Sequence, residues 1–325
     1  MSKKLKKALT IGVYNPNLIY TASPMCGDQV FSKGLEANGY DVYSVDYRAS
    51  ENINIDLLEL EDDFDIIWLG KCERVSEHTV YKLRNKYPNA KIIKWAADVR
   101  DEPSAHDISH LHFCDFFFGT FGGDYLKKHR LHMPSHAKAM SMITFTDSDF
   151  YNKSNKNEKY FSEILWTGRR GFGDNPLRND VIDFLLNTNY NKKIFGIENT
   201  EWVQDDYIKY ISNTLIGVGI NSFNRPKYTS DRLGNYMSCG IFYLPHYFEG
   251  INEVFERGLN LDWFEDVNEL EEKINFYLKN NKKREEIAKK GQEFILTYFD
   301  YKPLVKNLLH FIENGKSMYP WDDIY

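Results

Sequence analysis

The strongest constraint on the fold is a change of hydrophobic period that repeats along the chain. Short, continuous apolar runs alternate with amphipathic stretches of period 3.6. In the first half "ALTIGVYN", "DVYSVDYR", "FDIIWLG" and the start of "AKIIKWAADVRD" read as strands. "GDQVFSKGLEANGY" puts Val30, Phe31, Gly34 and Leu35 on one helical face, and "SEHTVYKLRNKYP" reads as a second helix. "CDFFFGTFGGDYLKKHR" is a buried strand, a glycine turn and a helix. Strands that are apolar throughout, separated by helices, predict a parallel sheet covered on both faces. The polar stretch "YNKSNKNEK" (151–159) has no hydrophobic period and reads as a linker. Beyond it the alternation restarts with "SEILWTG", "NPLRNDVIDFLLN", "KKIFGI", "DDYIKYISN", "TLIGVGIN" and "IFYLP". Long helical patterns and an aromatic tail close the chain. The fold class expected is α/β, with two doubly wound domains over 1–152 and 160–300 and a final segment over 301–325. Ligands of such sheets sit outside the carboxyl ends of the strands, so the deep site is expected between the domains.

Composition narrows the function classes. A net charge of −6, with Lys and Arg spread along 325 residues, argues against broad binding to a phosphate backbone. The basic start "MSKKLKKAL" lacks the apolar core of a signal peptide, and no window reaches the roughly 20 apolar residues of a membrane span. Cys26, Cys72, Cys114 and Cys239 are far apart with no CxxC, which fits free thiols and a cytoplasmic location.

Two stretches carry the candidate chemistry. "LWTGRRGFGDNPLR" ends a strand with Gly168, Arg169, Arg170 and two further glycines, then reaches Arg178. Glycines let a backbone approach a ligand, and arginines offer forked donors for phosphate oxygens. A plain connecting loop with surface arginines explains the pattern equally well. The loop is neither a Walker loop nor a dinucleotide-binding GxGxxG. "KYTSDRLGNYMSCG" places Tyr228, Thr229 and Ser230 at the mouth of a helix, with Arg232 one turn in. Free N–H groups there would receive a diphosphate, although simple capping by Thr229 or Ser230 accounts for part of the signal. Asp98, after "KIIKWAA", and Asp28, at the first strand–helix turn, are the candidate proton acceptors. An acid capping the following helix is the competing explanation for both. The histidines of "HDISHLH" (His106, His110, His112) and "HRLHMPSH" (His129, His132, His136) have ligand-like spacings, but no metal or other cofactor is expected.

From "DRLGNYMSCGIFYLPHYFEG" to "KKREEIAKKGQEFI" the chain resembles the carboxyl-terminal domain of group 1-like glycosyltransferases, nearest the branch of the CgeB spore-maturation proteins. Arg232, Cys239, Gly240, Gly250, Glu253, Phe264, Asp266, Glu269, Leu270, Arg284, Glu285, Ile287, Ala288 and Gly291 carry the match. The resemblance implies a GT-B fold: two Rossmann-like domains around a central cleft, the nucleotide sugar on the second, and a last helix (301–325) crossing back to the first. It implies a donor set of Gly168, Arg169, Arg170, Arg178, Tyr228, Thr229, Ser230, Arg232, Asn235, Glu249, Gly250 and Glu253. Family acids fall at Asn235 and Lys227 in this sequence, which leaves the stereochemistry open.

The function expected is therefore metal-independent transfer of a hexosyl or pentosyl group from a nucleoside diphosphate sugar, UDP-sugar favoured, to an unidentified acceptor. A sugar-nucleotide epimerase or hydrolase on the same fold is the alternative, as is a non-catalytic sugar-nucleotide or glycan binder. A nucleic-acid acceptor is disfavoured by the acidic balance.

Overall fold

The computed structural model describes residues 5–14, 27–151, 156–171, 173–197 and 206–325. The chain forms two compact units, the first comprising the described residues up to Ile143 together with Tyr301–Tyr325, the second Thr144–Asp300.

In the first unit six strands form one parallel sheet. They are β1 (Lys6–Gly12), β2 (Tyr40–Asp46), β3 (Ile66–Leu69), β4 (Lys91–Ala96), β5 (Phe116–Gly119) and β6 (Lys138–Ser141), in the order β2-β1-β3-β4-β5-β6. The strand order reverses between β1 and β3. The helices α1 (Gly27–Ala37), α2 (Ile53–Glu59), α3 (Glu77–Lys86), α4 (Ala105–Leu111) and α5 (Gly123–Leu131) connect them. Strands β3 and β5 are buried along their whole length, as their uniformly apolar sequences require. Much of the aromatic content is spent in this core. Phe31 stacks on Trp68, Trp68 on Phe118, and Phe118 meets Phe311 edge-on.

The sequence pattern gave five of these strands. β6 escaped it because "KAMS" is four residues long and carries no β-branched residue. As the outermost strand it would leave free backbone groups. The aromatic tail covers them: Ala139 and Tyr325 exchange both backbone hydrogen bonds, and the Ser141 N–H donates to the Asp323 carbonyl.

In the second unit α6 (Ser148–Tyr151), β7 (Ser162–Thr167), α7 (Arg178–Asn187), β8 (Lys192–Phe195), α8 (Tyr207–Ser212), β9 (Thr214–Gly219), α9 (Arg232–Ser238) and β10 (Phe242–Pro245) are followed by α10 (Ile251–Val254), α11 (Val267–Lys279) and α12 (Asn281–Tyr298). The sheet is parallel, in the order β10-β9-β7-β8, and reverses between β9 and β7. Ile164, Trp166, Val218, Phe242 and Leu244 pack against Leu270 and Ile274 of α11 to make its core. The unit begins at Thr144, ahead of the polar stretch 151–159 expected to separate the domains. The reason is local pairing. Thr146 N–H donates to the Phe299 carbonyl, Ser238 Oγ donates to Thr146 Oγ1, and Ser148 donates twice to Asp300. Residues 152–155 of the expected linker lie outside the described residues.

The last helix, α13 (Tyr301–Asn314), packs on α1. Gly34 makes this approach possible, since a Cβ there would collide with Val305 and with the Tyr301 carbonyl. Among the described residues no helix is long and apolar enough to cross a membrane. Gly34→Ala is expected to cost the first unit about 1–3 kcal/mol through overpacking. Hydrogen exchange read by mass spectrometry should then show lost protection over α13 and unchanged protection over β7 and β9.

Candidate functional site

At the reversal point of the second sheet two guanidinium groups hold the strand ends together. Arg232 donates from Nη1 to the Thr167 carbonyl (2.6 Å), at the end of β7, and from Nη2 to the Ile220 carbonyl (2.9 Å), just past β9. Arg178, at the start of α7, donates from Nη1 to the same Ile220 carbonyl. Its Nε and Nη2 donate to the Arg169 carbonyl at 3.1 and 2.8 Å. Its guanidinium lies 5.4 Å from the Trp166 ring centre, a cation–π distance. A Cβ at Gly168 would collide with both the Trp166 ring and Arg178, so glycine is what admits the stack.

Both arginines are buried, Arg178 at 4% and Arg232 at 7% exposure, and neither forms an ion pair among the described residues. Burial, followed by the neighbouring Arg232 charge, pushes the Arg178 pKa down to about 9, still cationic at neutral pH. Around Arg232 burial opposes the charge, but Tyr243, Tyr236, Asp231 and Tyr207 outweigh it and raise its pKa. Arg232 Nε and Ser230 Oγ are buried and have no hydrogen-bond partner among the described residues. The site therefore holds two buried positive charges whose hydrogen bonds go to carbonyl dipoles, with Asp231 the carboxylate acting on Arg232, and it keeps an unused donor and an unused hydroxyl. That is a place for an anion.

Asn221 shapes the loop above it. Its Nδ2 donates to the Tyr228 carbonyl and its Oδ1 accepts from Ser230 N–H. Sequence reasoning missed Asn221, Trp166, Tyr207 and Tyr243. Asn221 had a visible signal, as the polar residue closing the apolar strand "TLIGVGIN". The helix mouth differs from expectation. α9 begins at Arg232, its cap position is Asp231, and no side chain caps it. Thr229 is buried and its hydroxyl turns to the Ser230 carbonyl. The helix has seven residues, so α9 offers little dipole and the arginines supply the charge.

The other expected donor residues divide. Arg170 pairs with Asp183 on α7, and Arg169 is exposed and contributes its carbonyl. Arg178 and Arg232, also in the expected donor set, are the two whose guanidiniums reach the strand ends. Asn235 is buried, with Nδ2 at 3.4 Å from Asp231 Oδ2. Lys227 has φ +51°, a conformation rare outside glycine, and its N–H donates to the Glu249 carbonyl. Its buried ammonium lies 2.7 Å from the half-exposed Glu253 carboxylate, beside Gly250. A basic residue thus occupies the place where the resemblance has an acid, and it is already paired.

In the first unit the reversal point is plugged. Asp28 is 2% exposed, and Oδ2 accepts from Val13 N–H (2.8 Å) while Oδ1 accepts from Trp95 Nε1 (2.7 Å). Its carboxyl packs where a Cβ at Gly12 or Gly70 would lie, between the ends of β1 and β3. Burial raises its pKa to about 6 against the hydrogen bonds from Val13, Trp95 and Lys71. These partners make Asp28 a bracket between the strand ends. Asp98 is exposed two residues past β4, with Lys71 Nζ at 3.6 Å. The six histidines do not converge. His129 is buried against Phe117 and bonds the Tyr125 carbonyl, and only His106 and His110 meet at a potential metal-ligand cluster among the described residues.

Residues 174–310 match the family model described as glycosyl transferase-like. A comparison with curated proteins gives no match. Among solved structures the chain is similar to Anabaena HepE in complex with UDP-glucose, at 10% identity and TM-score 0.60, covering 94% of this chain and 99% of that one. It is similar to sucrose-phosphate synthase from Thermosynechococcus elongatus, at 12% identity and TM-score 0.61, covering 95% and 99%. The fold is GT-B. A putative UDP-N-acetylglucosamine 2-epimerase from Listeria monocytogenes shares it, at 9% identity and TM-score 0.55, covering 95% and 96%. GT-B architecture alone therefore does not name the reaction. The match over 174–310 falls mostly on the second Rossmann-like unit, the one that holds the arginine pair.

The Asp28 pKa is raised above the ordinary 3.8, so the native chain holds that proton more tightly than the unfolded one. Stability from this group is then fullest below about pH 4 and falls as pH rises toward 6, by on the order of 3 kcal/mol. Urea midpoints of wild type and Asp28→Asn across that window should diverge in this sense, with the variant losing less as pH rises.

Proposed function

We propose that the protein is a glycosyltransferase that moves a sugar from a nucleoside diphosphate sugar, a UDP-sugar in the first instance, to an acceptor hydroxyl. The observation that carries this is the buried Arg178–Arg232 pair at the β7/β9 reversal point, with two positive charges and no anion bound to them among the described residues. A diphosphate supplies the missing charge. As the bond between sugar and diphosphate breaks, negative charge builds on the departing oxygen, and fixed cations in a dry site favour that change without reorganising. Arg232 Nε and the Ser230 hydroxyl are the free donors that would touch phosphate oxygen. The cations are built into the fold, so donor binding needs no metal. The similarity to HepE, whose structure holds UDP-glucose, favours uridine as the base. Membership of the CgeB-like branch is part of this proposal. On the first unit, exposed Asp98 is the residue proposed to take the acceptor proton.

The shared epimerase fold makes hydrolysis or epimerisation of the same donor the second reading. Product analysis separates them: transfer gives UDP and a new glycoside, hydrolysis gives UDP and the free sugar, and epimerisation gives an altered UDP-sugar with no net UDP.

Three outcomes are expected. UDP should bind by calorimetry with EDTA present, and at a concentration of 100 Kd should stabilise the protein by about 2.7 kcal/mol. Heat of binding that vanishes on chelation would refute the metal-free site. Ser230→Ala removes a hydroxyl with no intramolecular partner, so its melting temperature should match wild type while UDP affinity falls by about 3- to 10-fold. Asp98→Asn should slow transfer by about 10²–10⁴ at unchanged UDP affinity if the product anomer is inverted. Wild-type turnover in that variant removes Asp98 from the mechanism.

A further inference from the structure

A second cluster lies entirely within the first unit. His106 and His110 stand four residues apart on α4, so their rings share one face of the helix, 4.3 Å between centres. Cys72, on the loop after β3, brings its sulfur to 3.6 Å from His110 Nδ1. One ligand atom from each of the three residues lies within 4.8 Å of the other two. We propose that Cys72, His106 and His110 bind a zinc-class divalent ion.

Three independent features support this. The first is tautomer. His110 Nε2 lies 2.9 Å from the Val75 carbonyl, which can only accept, so Nε2 carries the proton and Nδ1 presents its lone pair toward Cys72. A ligating histidine typically has its far N–H fixed on a carbonyl in this way. The second is distance. Zinc–sulfur and zinc–nitrogen bonds of ordinary length at a tetrahedral angle put S and N about 3.6 Å apart. The Cys72–His110 separation already has that value. The third is an unused atom. His106 Nε2 is buried with no hydrogen-bond partner among the described residues.

Lys94, buried and held by the Gly70 carbonyl and the Asp107 carboxylate, each at 3.1 Å, is the nearest cation and opposes a second positive charge. At His106 its effect exceeds those of Asp107 and Glu73, so the ligand atoms, the thiolate above all, must outweigh it. Binding would release the Cys72 thiol proton to solvent, and the thiolate would then halve the charge of the ion. The remaining tetrahedral position is left for water. Without metal, burial pushes the Cys72 thiol up to about 12 and holds His110 neutral, which argues against a thiolate–imidazolium nucleophile as the purpose of the pair.

The test uses the full chain, stripped with chelator and kept reduced by a phosphine. Titration with Co²⁺ should give a thiolate-to-cobalt charge-transfer band with intense tetrahedral d–d bands, saturating at one ion per chain, and Zn²⁺ should displace both. Zn²⁺ should also raise the melting temperature of the stripped protein. Cys72→Ser should abolish the charge-transfer band. His106→Gln removes a ring whose Nε2 makes no hydrogen bond among the described residues, so the fold should survive while Co²⁺ affinity falls at least tenfold. A cobalt spectrum without charge transfer, or one unchanged in both variants, overturns the proposal. So does a melting temperature indifferent to Zn²⁺. UDP binding in EDTA reads the second unit alone, so either result leaves the donor site to be judged separately.

Discussion

The second unit depends on one shared acceptor. The Ile220 carbonyl receives donors from Arg178 and Arg232, and so ties the start of α7 and the start of α9 to the ends of β7 and β9. A buried cation normally needs an anion. Here carbonyl dipoles orient the two guanidiniums but do not neutralise them. The neighbouring details follow from that arrangement. Trp166 must offer its face, position 168 must be glycine, and Asn221 must hold the loop that keeps Ser230 facing inward. The charge left over is what the unit has to offer a ligand.

The first unit solves the same geometric problem with the opposite sign. Its sheet also reverses order beside its first strand, and the crevice this creates is filled by Asp28. A carboxylate accepting from Val13 and Trp95 closes the gap that a ligand phosphate would need, and its charge would repel one. Two sheets with the same reversal thus differ in what fills it, a carboxylate in one and two guanidiniums in the other. Fold fixes where a site can be, and the residue placed there decides whether it is open.

Much of this was legible in the sequence, and the boundary is physical. Alternating periods gave the parallel sheets, because every buried strand must be apolar throughout. Asp266, a residue of the family resemblance, accepts from Glu269 N–H and caps α11. What the pattern did not carry was partner choice: in the loop "GRRG" Arg170 pairs with Asp183, while Arg178 turns back to the strand ends. Asp28 looked like a loop acid and became a plug. Such outcomes depend on contacts between residues far apart in sequence, such as Asp28 with Trp95, which no local pattern encodes.

The return of α13 and the tail to the first sheet bears on how the protein is made. Tyr301–Tyr325 belong to the first unit, and the described part of the second lies between them and Ile143. A ribosome therefore completes the second unit before it releases the segment that finishes the first. At ordinary rates of synthesis that interval is roughly 10–30 s. Throughout it the apolar face of α1 around Gly34 and the open edge of β6 await their cover. Until then the edge of β6 is an unpaired strand edge, the kind of surface that can pair with another chain.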